Sequence, residues 1–186
     1  MRDLVADARE LARGLLDSPA LARRWAHVQA VAARAGELAA AVAPGEREML
    51  VAAAWLHDIG YGTDLVATGF HPLDGARYLE RAGWPNRLVA LVAHHSGARF
   101  EAAERGLLAE LDGYPMEGGP LVDALVAADL TTGPAGQRLT FVERIEEILS
   151  RYPADSPVHR AVGRARPILA AHLDRVAERL SARGSS

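Results

Sequence analysis

The chain has neither cysteine nor lysine. Without thiols, disulfides, thiolate metal sites and cysteine nucleophiles are all excluded. Every basic residue is arginine, a bias that carries no functional implication by itself. An excess of positive charge is also missing. Twenty-one basic residues face 24 acidic ones, a formal net charge of −3, so there is no electrostatic footing for nonspecific binding to a nucleic-acid polymer. No run of roughly 18 apolar residues occurs, and no charged stretch followed by an apolar one opens the sequence. These absences predict a soluble cytoplasmic protein without a membrane partner. They leave the oligomeric state undefined.

What is present reads as helix. At 186 residues the chain suits one domain, long enough to bury about 70% of its unfolded surface. Apolar residues recur at helical spacing, for example Leu4, Ala8, Leu11 and Leu15, then Leu21, Trp25, Val28, Ala32 and Ala35. Ser18-Pro19, Pro44, His71-Pro72, Pro85, Pro120 and Ser156-Pro157 mark helix starts. A helix is expected from Pro44 to Gly60 with His57 and Asp58 in its last turn, and another over 99–111. Thr140 and Glu143 form a capping box for a helix over 141–151, and Pro167 is expected to kink or split the last one. The fold class is all-α.

Against this background His57-Asp58 is out of place. The pair ends the apolar run Met49-Leu50-Val51-Ala52-Ala53-Ala54-Trp55-Leu56, and an unpartnered buried carboxylate costs several kcal/mol. No arginine stands within that run, so a metal ion is the economical partner for an imidazole and a carboxylate there. Asp129 follows Val122, Leu125 and Val126 by seven, four and three residues, which places it on a buried stripe. His27 flanks the apolar stripe of its own helix. His71, His94 and His95 are further candidate ligands. A set of nitrogen and oxygen donors without sulfur suits iron, manganese, nickel, cobalt, zinc or magnesium.

The ordered set His27, His57-Asp58, Asp129, with Leu56-His57-Asp58-Ile59-Gly60 as an HDIG-like stretch and Arg24-Trp25-Ala26-His27 before it, resembles the HD-domain superfamily of metal-dependent phosphohydrolases. His71-Pro72-Leu73-Asp74-Gly75 with Val92-Ala93-His94-His95 is similar to the extra histidines of members that hold two metals. The resemblance covers residues 20–133, leaving the helices of 140–183 outside the motif core of a single HD domain, 1–186. It implies an HD-domain helical bundle with a metal site in its core. His27, His57, Asp58 and Asp129 would hold one ion, and His71 with His94, or His95 in its place, would hold a second across Asp58. Tyr61 stands where many HDIG sequences have lysine, and a cyclic-di-GMP phosphodiesterase, the kind of member that carries a GYP signature, is not expected.

The implied activity is hydrolysis of a phosphoester or phosphoanhydride in a nucleotide or other small phosphorylated metabolite, by metal-activated water that Asp58 helps to orient. Arg24, three residues before His27 and on its face, is a candidate phosphate ligand, with Arg99 beyond the second histidine pair as another. Asp64 and Thr68 are candidates for the pocket entrance. His159 and His172 read as surface residues, and Trp25, Trp55 and Trp84 as core. Two alternatives share the ligand pattern: a di-iron oxygenase on the same scaffold, and a metal-binding regulatory module without turnover.

Overall fold

The computed structural model describes residues 3–184. Ten α-helices are found among them: α1 (Leu4–Leu16), α2 (Ala22–Leu38), α3 (Arg47–Leu56), α4 (His71–Arg81), α5 (Asn86–His94), α6 (Ala98–Arg105), α7 (Leu108–Leu111), α8 (Pro120–Leu130), α9 (Phe141–Arg151) and α10 (Pro157–Gly184). The described residues form no strand, only an isolated bridge between Thr132 and Arg138. No described helix is long and apolar enough to cross a membrane. The all-α expectation therefore holds.

Two helices are apolar nearly all round and take the centre. Leu50, Ala52, Ala53, Ala54 and Leu56 of α3 are buried, against α1, α2, α5 and α8. In α8 every residue from Asp123 to Leu130 is buried, because α2 and α3 cover one side and α9 and α10 the other. A helix hydrophobic on all faces belongs inside a domain. The more amphipathic α1 and α9 wrap the outside. Thr140 caps α9 with the expected capping box, its hydroxyl accepting from the Glu143 amide while the Glu143 carboxylate accepts from the Thr140 amide.

Three boundaries differ from expectation. First, α3 stops at Leu56, and His57-Asp58 enters a 3₁₀ turn over Ile59–Tyr61. Gly60 explains the tight turn, since a Cβ there would lie 2.0 Å from the His71 carbonyl oxygen and 2.8 Å from the Gly75 nitrogen. Second, the segment 99–111 is divided by Gly106 in the left-handed region, whose amide and that of Leu107 satisfy carbonyls at the end of α6. Third, α10 is continuous through Pro167, so of the expected kink or split the split does not occur. The proline and Gly163, whose carbonyl it leaves without a helical partner, are both exposed, so that carbonyl is open to solvent.

Candidate metal centre

The end of α3 delivers two adjacent residues to one interior point. On a continuing helix, neighbours project about 100° apart. Because Asp58 leaves the helix, with φ −107° and ψ 9°, His57 and Asp58 instead converge. The Gly60 contact brings the first residue of α4 alongside, so His71 Nε2 lies 3.1 Å from Asp58 Oδ1. His27 comes from the middle of α2 and Asp129 from the last turn of α8, with His27 Nε2 3.1 Å from Asp129 Oδ1. The end of α5 contributes His95, 3.2 Å from His71 between Nε2 atoms.

The donors fall into two groups, His27, His57 and Asp129 in one and Asp58, His71 and His95 in the other, each with its donor atoms within 4.8 Å of one another. Asp58 links them. Its Oδ2 is 3.4 Å from His57 Nε2 and 3.7 Å from His27 Nε2, whereas Oδ1 faces His71 and lies 3.8 Å from His95 Nε2. The carboxylate is placed to serve both groups, one oxygen each.

The tautomers are set by backbone carbonyls, which can only accept. His27 Nδ1 donates to Gly133 (3.0 Å), His57 Nδ1 to Ala54 (2.8 Å) and His95 Nδ1 to Val92 (2.7 Å). In the neutral rings this turns the Nε2 lone pairs toward the carboxylates. His57 Nε2 is buried and makes no hydrogen bond. Ligand bonds of about 2.0–2.2 Å require donors roughly 3–4 Å apart, the spacing seen. An orphaned buried nitrogen beside two carboxylates thus fits a cation, and the donor set fits one or two divalent ions.

The charge balance agrees. Asp58 and Asp129 are held well below the usual carboxylate range: burial acts against ionisation, but Arg24 and His57 outweigh it at Asp58, and His27 and His57 at Asp129. Burial also opposes protonation of His57, yet the two carboxylates push its pKa up to about 9, so a metal ion would have to displace the Nε2 proton of this ring to bind it. At His95 burial prevails, and with His71 and His57 nearby the pKa is pushed down to about 3, so this imidazole is neutral, as ligation requires. Arg24 is half-buried against Asp58, its guanidinium pairing with Oδ2 and lying 3.9 Å from the centre of the Tyr61 ring. The other face of Tyr61's neighbourhood is His71, stacked at 4.2 Å. Where many HDIG sequences have lysine, this chain has an aromatic plate packed against both guanidinium and imidazole.

Not every candidate arrives. His94 Nε2 donates to the Tyr114 carbonyl at 2.9 Å, away from both groups. The correction has a backbone cause: α5 ends at His94, His95 turns to an extended conformation, and the chain reverses through Ser96 at φ 45°. That left-handed residue is uncommon outside glycine, and its hydroxyl donates to Asp129 Oδ2. Arg99 pairs with Asp112 on the surface and does not line the cavity beside the cluster. Asp64 and Thr68 do not line it either; Thr68 bonds Asp74 through amide and hydroxyl. The tripeptide Gly113-Tyr114-Pro115 does occur after α7, but it too lies outside the cavity. His159 and His172 are half-buried, bonded to the Tyr152 carbonyl and to Asp123. Trp25 and Trp55 pack together within the core periphery.

The sequence reading missed Arg144 and Ser96. Arg144 of α9 is 5% exposed, with Nη2 3.9 Å from Asp129 Oδ1 and Nη1 2.5 Å from Glu147. Its Nε has no partner. The only signal was its position one helical turn from Ile148 on an amphipathic helix.

The family model described as the HD domain matches residues 24–129, more than half the chain. The chain belongs to the HD-domain family. The matched span runs from Arg24, against Asp58, to Asp129, so the HD domain here holds every residue of the two donor groups, while α9 and α10 lie beyond it. No curated protein and no solved structure matches the chain.

Proposed function

We propose that this HD-domain protein is a metal-dependent phosphohydrolase acting on a small phosphorylated substrate rather than on a polymer or at a membrane. The observation that carries the reading is Asp58, one carboxylate shared by two donor groups at the floor of a cavity of about 300 Å³ that is also lined by Arg24 and Arg144. His27, His57, Asp129 and Asp58 Oδ2 would hold one ion, and Asp58 Oδ1, His71 and His95 a second. Bound there, divalent ions supply Lewis acidity and bring the pKa of water toward 7. In hydrolysis the ester oxygen–phosphorus bond breaks, a bond to the water oxygen forms, and a proton of that water ends on the leaving alcohol.

The chain's own residues set the geometry. Ser96 and Arg144 restrain Asp129 from two directions, and the three carbonyl-anchored imidazoles cannot rotate without losing a buried hydrogen bond. Arg24, against Asp58 and over Tyr61, is positioned to pair with a phosphate oxygen through its planar fork.

The test combines metal analysis of manganese- and iron-loaded protein with phosphate release from a panel of monoesters and anhydrides. Metal-dependent release that Asp58→Asn abolishes is the expected result. Oxygen uptake by the iron-loaded protein with no phosphate released would instead favour oxygenase chemistry, and full metal occupancy without either activity would make this a regulatory module.

A further inference from the structure

The cavity is not uniform. Its floor is the donor cluster with Arg24, part of its wall is formed by residues 96–98 with Glu101 and Arg105, and another part is built by α9 and α10, outside the span matched to the family. Ile145, Ile148, Val158, Val162, Ala165 and Leu169 supply an aliphatic surface there. The polar groups near it are already committed. Ser96 donates to Asp129, Glu101 is held by Arg105 at 2.7 Å, and Glu147 holds Arg144 and Arg151 at 2.5 and 2.6 Å. Besides Arg144 and Arg151, Tyr152 is the one residue with a polar side chain that the α9–α10 segment brings to the lining, and no asparagine, glutamine or threonine is among the lining residues.

A nucleoside presents many donors and acceptors on its base and sugar. Buried against this wall, they would lose water without gaining partners, which is unfavourable for each group. An aliphatic chain has the opposite balance, since every methylene covered there leaves water for hydrocarbon. Arg144 and Ile148 stand four apart on α9, so the cationic end and the apolar wall adjoin on one helix face. The volume is at the lower end of the range of about 300–1,000 Å³ for ligand pockets, which favours a compact molecule.

On the hydrolase reading above, we propose that the substrate is the phosphate monoester of a compact aliphatic alcohol, its phosphate over the donor cluster between Arg24 and Arg144 and its hydrocarbon part against α9 and α10. These two helices are then the specificity element that the chain adds to the family's core.

The test uses the unmodified, manganese-loaded protein. Isopentyl phosphate and adenosine monophosphate are compared as substrates, and isopentylphosphonate and methylphosphonate are compared by calorimetric titration. The expected results are a kcat/KM about tenfold or more higher for isopentyl phosphate, and binding about tenfold or more tighter for the longer phosphonate. Val162→Trp, at a half-buried position, should erase the preference between phosphonates while metal content is retained; Val162→Asn serves the same end if the tryptophan variant does not fold. Preferred turnover of adenosine monophosphate, with equal binding of the two phosphonates, would overturn the proposal and leave the hydrolase reading standing. Selective binding of isopentylphosphonate without turnover of any ester would overturn the hydrolase reading, and with it the assignment of a substrate, while retaining the apolar subsite on α9 and α10.

Discussion

Asp58 differs from the other ligand candidates in spending both oxygens, one toward His27 and His57 and the other toward His71 and His95. Its removal should therefore weaken both groups at once. In Asp58→Asn, metal content measured by plasma emission is expected to fall at both positions and turnover by orders of magnitude. The two adjacent histidines make a sharper comparison. His95→Ala should lower bound metal, whereas His94→Ala should leave the stoichiometry unchanged, because His94 is tied to the Tyr114 carbonyl. Equal losses in both variants would remove His95 from the centre. That His27, His57, Asp58 and Asp129 gather in the two donor groups was legible from the ordered motif that resembles the family, together with polar residues on or beside apolar stripes. The choice between His94 and His95 was not. It depends on a helix ending at one residue and on Ser96 adopting a positive φ, and neither follows from spacing.

At the scale of elements, the site depends on how closely the turn after α3 meets the start of α4. Gly60 is required by that approach rather than by its own φ, with the His71 carbonyl where a side chain would begin. Gly60→Ala must push the two backbones apart in a packed interior. A loss of about 3 kcal/mol is expected, seen as a fall in Tm of roughly 6–12 °C for a chain of this size. The separation should also draw His71 from Asp58, so metal occupancy of the second group should fall more than that of the first. An alanine variant as stable as the parent, with both ions bound, would show that the contact is not limiting. The α9 cap was readable from Thr140 and Glu143 because it is local chemistry, four residues long. The end of α3 was misplaced because Gly60 acts through α4, which is remote in sequence.

Over the whole molecule, the family core and the added helices are joined by a buried charge. Asp123 of α8 is fully buried, and α10 surrounds it with His172 Nδ1 at 2.6 Å, Arg175 Nη2 at 2.7 Å and Arg179 Nη1 at 2.6 Å. His172 reads from sequence as a surface residue because it lies in the C-terminal helices away from the motif, and sequence spacing cannot register a partner 49 residues away. Removing one side of a buried pair is costly, about 3–5 kcal/mol when both are enclosed. Here the arginines keep part of their hydration, so Asp123→Asn should cost about 2 kcal/mol. The sign with pH follows from the carboxyl. Burial alone would raise its pKa, but the hydrogen bonds from Arg175, His172 and Arg179 outweigh it and lower the value. A depressed folded-state pKa contributes stability above the unfolded value near 3.9, and that contribution is lost as pH falls through the folded one. Urea denaturation of parent and Asp123→Asn should therefore differ by a near-constant amount attributable to this carboxylate from about pH 5 to 7, and the difference should shrink below about pH 4. Because α10 also walls the cavity, the variant at neutral pH should lose isopentylphosphonate affinity while its capacity to bind metal is unchanged, since none of the donor-group residues lies on α10. Unchanged affinity together with reduced stability would mean that α10 holds its place over the cavity through the apolar contacts of Leu169 and Ala165 with Val126 and Leu130 alone.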